Sequence, residues 1–236
     1  MKTIALFNHR RGVGKTTLAY HLAWMMRHLG ERVLAVDLDP QADLTAAFLD
    51  DDEVQALWNP SPSTIYGAVR SLIADRGHAS SSPVKAIADG LSLIPGDLTL
   101  SWFEEYLALA WPKGTDRDPS TAEDALRVTT VFHRIIARAT AEQSATLAIL
   151  DLGPSLDALN RAALLAADAV IVPLIIDPTA LRGLSALGTK LAEWRTEWTE
   201  QQRVPAASGL DLPVGAMPPL GYTVLQLSGA DSSLLP

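Results

Sequence analysis

The segment that most constrains the fold is NHRRGVGKTT, residues 8–17, which separates a short apolar run from an amphipathic one. The preceding TIALFN (3–8) has the composition of a buried strand, and apolar residues recur at helical spacing over 15–29. A glycine-bearing turn between a strand and a helix lets backbone N–H groups converge on an anion. The segment therefore predicts an α/β fold with a phosphate site at the carboxyl edge of its sheet.

Short apolar strands alternate with amphipathic helices along the rest of the chain, which is typical of a mostly parallel, twisted sheet with helices on both faces. Further strands are expected at 32–39, 91–96, 146–153, 169–175 and 221–227, helices at 64–75, 121–141, 157–166 and 179–200, and surface loops at 75–83 and 203–221. We expect one domain over 1–236. No covering helix follows the last strand, so this domain has either a short tail or a shortened or frame-altered C-terminus.

Composition excludes several classes of protein. The 236 residues carry a net charge of -8 and include no cysteine. The negative charge argues against coating nucleic acid by bulk charge, although a local basic patch in an assembled state stays open. Without cysteine there is no thiolate zinc site, iron–sulfur cluster or cysteine nucleophile, which fits a cytoplasmic protein. No apolar run reaches the roughly 18 residues of a membrane span, and the apolar run at the N-terminus is too short for a signal peptide.

The second half of the opening segment supplies the groups that a phosphate site needs. Gly12 and Gly14 let the backbone approach the ligand closely, and Lys15 can reach the β- and γ-phosphates. The Thr16 hydroxyl can ligate Mg²⁺, and the Thr17 hydroxyl can bind a phosphate oxygen. The predicted nucleotide-binding residues are Arg11, Gly12, Val13, Gly14, Lys15, Thr16 and Thr17.

The strict motif G-x-x-x-x-G-K-[ST] fails, because His9 stands at its first glycine. The segment instead resembles the deviant loop K-G-G-x-G-K-[ST] of the ParA/MinD-type ATPases, and within them the ParA/Soj partition ATPases. In that register Arg10 falls on the signature lysine of the family and Arg11 on its first glycine. Arg10 is then either a phosphate contact made across an ATP-bound dimer or part of a drifted, solvated loop. A left-handed backbone at Arg11 would cost about 1–2 kcal/mol.

Two further segments carry the same resemblance. VLAVDLDPQADLT (33–45) is similar to the family segment V-L-x-x-D-x-D-P-Q, which implies that Asp37 lies near the metal and that Asp39 orients the attacking water. LAILDLGPSLD (147–157) resembles the Walker B strand and the switch that follows it. There the resemblance implies that Asp151 holds Mg²⁺ through water and that Gly153 senses the γ-phosphate. The predicted catalytic residues are Lys15, Asp39 and Arg10, and the predicted metal-binding residues are Thr16, Asp37 and Asp151.

The resemblance implies an ATP-driven switch that binds Mg-ATP, forms a homodimer and hydrolyses ATP slowly. The ATP dimer would bind DNA nonspecifically, associate with the nucleoid and position a plasmid, chromosome or protein cargo. A ParB-like or adaptor protein would stimulate hydrolysis, and no membrane role is expected. One basic set on or after the last long helix is either a solvated face or a DNA-contact patch: Arg182, Lys190, Arg195 and Arg203.

Two other functions stay open. One is a nucleotide sensor that dimerises on ATP but barely hydrolyses it, a function that the altered loop leaves open. The other is an ATP-dependent metabolic enzyme on the same fold, for which the sequence shows no small-molecule signature.

Overall fold

The computed structural model describes residues 1–57, 63–74, 82–175 and 180–225. Within these residues one sheet has the strand order β3-β4-β2-β5-β1-β6-β7. Its strands are β1 (Lys2–Leu6), β2 (Val33–Asp37), β3 (Lys85–Ala88), β4 (Leu91–Ile94), β5 (Leu147–Asp151), β6 (Ala169–Leu174) and β7 (Pro219–Val224). Every neighbouring pair is parallel except β3 with β4, which confirms the predicted mostly parallel α/β fold.

Helices cover both faces of the sheet. They are α1 (Lys15–His28), α2 (Asp43–Phe48), α3 (Asp51–Ala56), α4 (Ile65–Ala74), α5 (Phe103–Ala110), α6 (Pro119–Thr129), α7 (Val131–Gln143), α8 (Ala158–Leu165) and α9 (Ala180–Gln202). Short 3-10 helices occur at Leu98–Trp102, Trp111–Thr115 and Pro205–Gly209. The central strand β2 is buried along its whole length, because Val33 and Ala35 join the core under α1 while Leu34 and Val36 join the core under α4 and α7. This alternation holds the carboxyl ends of the central strands at one edge.

The structure corrects several predicted elements. The helix expected at 121–141 is two helices that break at Thr130, whose hydroxyl donates to the Leu126 carbonyl at 2.7 Å. Such back-bonding competes with the helical backbone pattern. Three helices, α2, α3 and α5, and the antiparallel strand β3 were not predicted. The predicted loop at 75–83 falls mostly outside the described residues, as do the last two residues of the strand expected at 221–227.

The segment 203–221 was expected to be a surface loop, but part of it belongs to the core. Met217 is fully buried, and β7 already begins at Pro219. The Trp198 indole N–H donates to the Pro213 carbonyl at 3.1 Å, so this segment is tied to α9. Its apolar contacts are made with elements far apart in sequence, so no local hydrophobic periodicity predicts that this segment is buried.

No helix among the described residues combines the length and the apolar character needed to cross a bilayer.

Candidate nucleotide-binding site

Three strands deliver the predicted site residues to one edge of the sheet. The loop 8–14 follows β1, while Asp37 and Asp151 end the neighbouring strands β2 and β5. These two aspartates are register partners, and adjacent strands lie about 4.8 Å apart, so their carboxyl groups share one small volume. The sheet therefore brings together the glycine loop and two of the predicted metal-binding residues, as the sequence indicated.

The glycine loop has the conformation that its sequence requires. Gly12 and Gly14 have positive φ angles of 71° and 80°, which explains why glycine stands at both positions. The Asn8 side chain fixes the start of the loop, since its Oδ1 accepts from the Arg10 N–H at 3.0 Å and its Nδ2 donates to the Pro173 carbonyl at 2.8 Å. Arg11 is not among the described non-glycine residues with positive φ, so the left-handed strain considered for it does not arise.

Lys15 begins α1 and is held inside the loop. Its side chain is buried, and its Nζ donates to the Arg10 carbonyl at 3.4 Å. Burial lowers the pKa of this amine, the carboxylates of Asp151 and Asp39 act in the opposite direction, and the nearby Arg11 adds to the lowering. A buried ammonium group that contacts the backbone of the glycine loop is placed to bind the phosphate oxygens that such loops enclose.

Asp37 is fully buried, and its carboxylate is committed to hydrogen bonds within the protein. Its Oδ2 accepts from the Thr45 N–H at 2.8 Å and from the Thr45 hydroxyl at 2.7 Å. The Thr45 oxygen in turn accepts from the Gly96 N–H at 2.7 Å. A Cβ at Gly96 would lie 2.8 Å from the Asp37 carboxyl, so glycine permits the close approach. Burial raises the pKa of Asp37 to about 7, against the hydrogen bonds from Thr45.

Asp151 lies in a different environment from Asp37. Both of its Oδ atoms are buried, and neither has a well-formed hydrogen bond to another described residue. Burial and the adjacent Asp37 raise its pKa to about 8, and the neighbouring Thr16 hydroxyl opposes this shift. A carboxylate without a partner is costly to bury, so the arrangement suits a residue that holds a cation.

The donor set fits Mg²⁺ rather than a cage made only of protein ligands. No group of three or more His, Asp and Glu side chains in the described ranges is arranged to hold a metal. Mg²⁺ in phosphate sites takes one or two protein oxygens and completes its shell with water and phosphate. The Thr16 hydroxyl and the buried Asp151 carboxylate beside it offer those oxygens.

Asp39 and Gly153 meet above the ends of β2 and β5. The Asp39 Oδ1 accepts from the Gln41 N–H at 3.0 Å, and a Cβ at Gly153 would lie 3.5 Å from the same oxygen. The Asn160 side chain donates to the carbonyl of Gly153 at 3.0 Å and to that of Ser155 at 2.8 Å. Asn160 therefore fastens the segment after β5 to the first turn of α8, a role that the sequence did not reveal.

Thr45 is the clearest residue that sequence reasoning missed, and its removal has an expected cost. In Thr45→Val the buried Gly96 N–H and the Asp37 carboxyl each lose a partner, so we expect a loss of about 2–4 kcal/mol in unfolding free energy. Chemical denaturation measures this loss. The control Thr196→Val removes an exposed hydroxyl on α9 and should change stability by less than about 0.5 kcal/mol. Equal stability of the two variants would contradict the bridging role.

Two features lie at the margins of the site. Leu225, just after β7, approaches the glycine loop so closely that a Cβ at Gly14 would lie 2.8 Å from its Cδ1. The predicted basic set is not one continuous patch, since the Lys190 Nζ pairs with Glu193 at 2.8 Å and Arg195 donates to the Ala216 carbonyl. Arg182 and Arg203 are exposed near opposite ends of α9.

Comparison with known proteins shows the family of the chain. The family AAA_31, described as an AAA domain, matches residues 1–203. The chromosome partitioning protein ParA of Caulobacter vibrioides is 32% identical over 187 residues, which cover 79% of this chain and 61% of that protein. The chain spans 61% of the length of this relative and 45% of the length of a second curated relative.

Solved structures share the fold. The protein DIP2308 from Corynebacterium diphtheriae superposes with a TM-score of 0.81 at 24% identity, over 95% of this chain and 80% of that chain. Cobyrinic acid a,c-diamide synthase from Mycobacterium smegmatis, with bound ATP analogue and magnesium, has a TM-score of 0.65 at 22% identity, over 95% and 74% of the two chains. At these identities the likeness concerns the fold alone.

Proposed function

The chain belongs to the ParA/MinD-type P-loop ATPases, and from that premise we propose that it is an ATP-driven partition switch. The observation that carries the proposal is the buried carboxylate of Asp151, which lacks a well-formed hydrogen bond and lies beside Lys15 and Thr16 at the mouth of the glycine loop. The charges and hydrogen-bonding groups of these residues complement those of a nucleoside triphosphate with its metal ion. The chromosome partitioning protein ParA from Caulobacter supports partition of a chromosome as the purpose of the switch.

Each residue of the site has a proposed part in ATP hydrolysis. The backbone of residues 11–14 and the Lys15 amine bind the phosphates, while the hydroxyls of Thr16 and Thr17 complete that shell. Asp151 and Thr16 hold the metal, and Asp37 keeps this corner rigid through Thr45. Bound Mg²⁺ would neutralise the charge that develops on the transferred phosphoryl group. Asp39 orients the attacking water, and Gly153 senses the γ-phosphate through its N–H.

Two subunits would meet across this face in the ATP-bound state. Arg10 is exposed beside Lys15, and a guanidinium can bind phosphate oxygens through two parallel hydrogen bonds. We place Arg10 against the nucleotide of the partner subunit, in the role that the family gives to its lysine. Nonspecific DNA binding would then use Arg182 and Arg203. Because the overall charge of the monomer is negative, these arginines would act together from both subunits of the dimer. A ParB-like or adaptor protein would stimulate hydrolysis.

Arg10→Ala tests the dimeric switch. We expect the wild-type chain to dimerise with ATP but not with ADP, and Arg10→Ala to weaken that dimer at least about tenfold, because a charge-assisted contact is lost. Light scattering after size exclusion, with and without DNA, reads the result. Arg10→Lys should retain dimerisation, and Arg117→Ala, which removes an exposed arginine just before α6, should change nothing. A chain that stays monomeric with ATP and ignores DNA would refute the switch.

The two other functions give different results in a second assay. Phosphate release from the wild-type chain, with Asp39→Ala as the background, separates an ATPase from a nucleotide sensor. ATP binding and dimerisation without release above that background would assign the sensor. The fold shared with a diamide synthase keeps a metabolic enzyme as the third function, and DNA-dependent assembly would speak against it.

A further inference from the structure

The chain segment that connects β4 to α6 carries an exposed apolar stripe that the nucleotide site does not use. Four side chains spaced by three or four residues form this α5 stripe: Leu98, Trp102, Tyr106 and Leu109, which are 57%, 67%, 67% and 58% exposed. Trp102, Tyr106 and Leu109 follow one face of α5, and Leu98 opens the 3-10 turn before it. The buried residues of the same segment, Phe103 and Leu107, point into the core, so the stripe is a second and separate apolar face.

The area of the α5 stripe suits a transient partner. Its exposed apolar surface amounts to roughly 500 Å², which is at the upper end of what a monomer shows to solvent and often marks an interaction site. A permanent dimer interface usually buries about 1,000 Å² or more on each partner. Trp102 is held in position by an edge-to-face contact with Tyr66, with ring centroids 6.4 Å apart. A large aromatic side chain that is fixed before binding loses little entropy when it is covered.

The charge beside the stripe indicates which partner fits. Glu105 is exposed near the middle of the stripe, and the chain carries a net charge of -8. A second copy packed about a twofold axis through this centre would bring two Glu105 carboxylates together. Anionic lipid surfaces would be repelled for the same reason. A helix with leucines on one face and lysines or arginines beside them would cover the apolar side chains and pair with Glu105.

The α5 stripe is connected to the switch through one side chain. Glu104, next to Glu105 on α5, accepts from the backbone N–H groups of Ala158 and Leu159 at 2.9 and 2.6 Å. These N–H groups open α8, which Asn160 fastens to Gly153. A partner that shifts α5 therefore acts on the helix turn from which Asn160 holds the Gly153 carbonyl.

We propose that the α5 stripe is the docking site of a basic amphipathic helix from a partner protein, and that Glu104 transmits its binding to the first turn of α8. The docking step is independent of the nucleotide chemistry. An effect of docking on hydrolysis rests on the proposed ATPase function, so the experiment below reads binding and α8 without nucleotide.

The probe is a labelled synthetic helix of about 18 residues with leucines at a and d positions and lysines elsewhere. Anisotropy at about 0.15 M salt measures its binding to the full chain. We expect Trp102→Ser with Tyr106→Ser to weaken binding at least about tenfold, and Leu29→Ser, an equally exposed apolar residue after α1, to change it less than about twofold. Equal losses in both variants would overturn the site.

Charge is tested by reversal at matched net charge. Glu105→Lys should weaken binding of the lysine helix and strengthen binding of the same helix carrying glutamates, while Glu200→Lys, at an exposed position of α9, should do neither. A glutamate helix that binds the wild-type chain as tightly as the lysine helix would overturn the basic partner. Trp102-dependent binding to anionic vesicles, or Trp102-dependent self-association without the peptide, would assign the stripe to a membrane or to a second copy instead.

Transmission is read by hydrogen exchange at the amides of Ala158 and Leu159. The bound lysine helix should slow their exchange in the wild-type chain, and Glu104→Ala should bind the helix yet lose this response. An unchanged response in Glu104→Ala would refute transmission while leaving docking in place.

Discussion

Asp151→Asn should make the nucleotide-free protein more stable and remove its ATPase activity. The wild-type carboxylate is buried without a well-formed partner, and burial with the adjacent Asp37 raises its pKa to about 8. An amide of the same shape carries no charge to desolvate, so we expect the melting temperature near pH 8 to rise by about 3–10 °C. The same change removes the residue placed to hold the metal, and phosphate release should fall about 100-fold or more.

The pH dependence of this gain has a definite sign. Between about pH 4 and pH 8 the folded protein keeps a proton on Asp151 that the unfolded chain has released, so folding loses stability as the pH rises through this window. Asp151→Asn should therefore gain little near pH 5 and most near pH 8, with part of the wild-type slope left because the pKa of Asp37 is also raised. Thermal melts at both pH values measure this, with exposed Asp52→Asn as control. A larger gain at pH 5 would contradict the assignment.

Gly215→Ala should cause the largest loss of stability among single methyl additions. Gly215 has a positive φ of 62°, and a Cβ there would lie 2.3 Å from the Trp198 Cδ1 and 3.0 Å from the Leu165 Cδ2. Trp198 is 1% exposed and cannot move without disturbing α9. Left-handed strain and overpacking together are expected to cost about 3–5 kcal/mol.

Gly209→Ala is the matched control for that substitution. It lies in the same connection, nothing approaches its Cβ position within 4 Å, and no positive φ is recorded for it. We expect its effect to stay within about 1 kcal/mol, and it should stabilise slightly by restricting the unfolded chain. Denaturant unfolding of both variants gives the comparison, and equal midpoints would contradict tight packing of Trp198 against Gly215.

The placement of the candidate nucleotide-site residues could be predicted from the sequence, because the glycine loop and both aspartates stand at the ends of buried strands. Asp37 and Asp151 end apolar runs, and parallel strands deliver their carboxyl ends to one edge. Thr45, Gly96 and Leu225 could not be predicted, since the sequence does not state which loop reaches which strand end. Their contacts arise from sheet order, in which β4 lies beside β2 and β7 lies two strands from β1.

The segment 98–110 was missed for a different physical reason. Its buried residues Phe103 and Leu107 occupy one face, while Trp102 and Tyr106 place apolar side chains on another. The helix α5 spans only eight residues, about two turns, which is too short for a helical period to stand out from the sequence.

The Asn160 side chain has a consequence for how fast this protein can change state. It joins Gly153 and Ser155 to the first turn of α8, so side-chain hydrogen bonds cross-link residues 153–160. A segment of this kind rearranges in one concerted step, with its hydrogen bonds broken and remade together. Signals from Gly153 and from Leu159 should therefore relax with one common time constant, which Asn160→Ala would split into two.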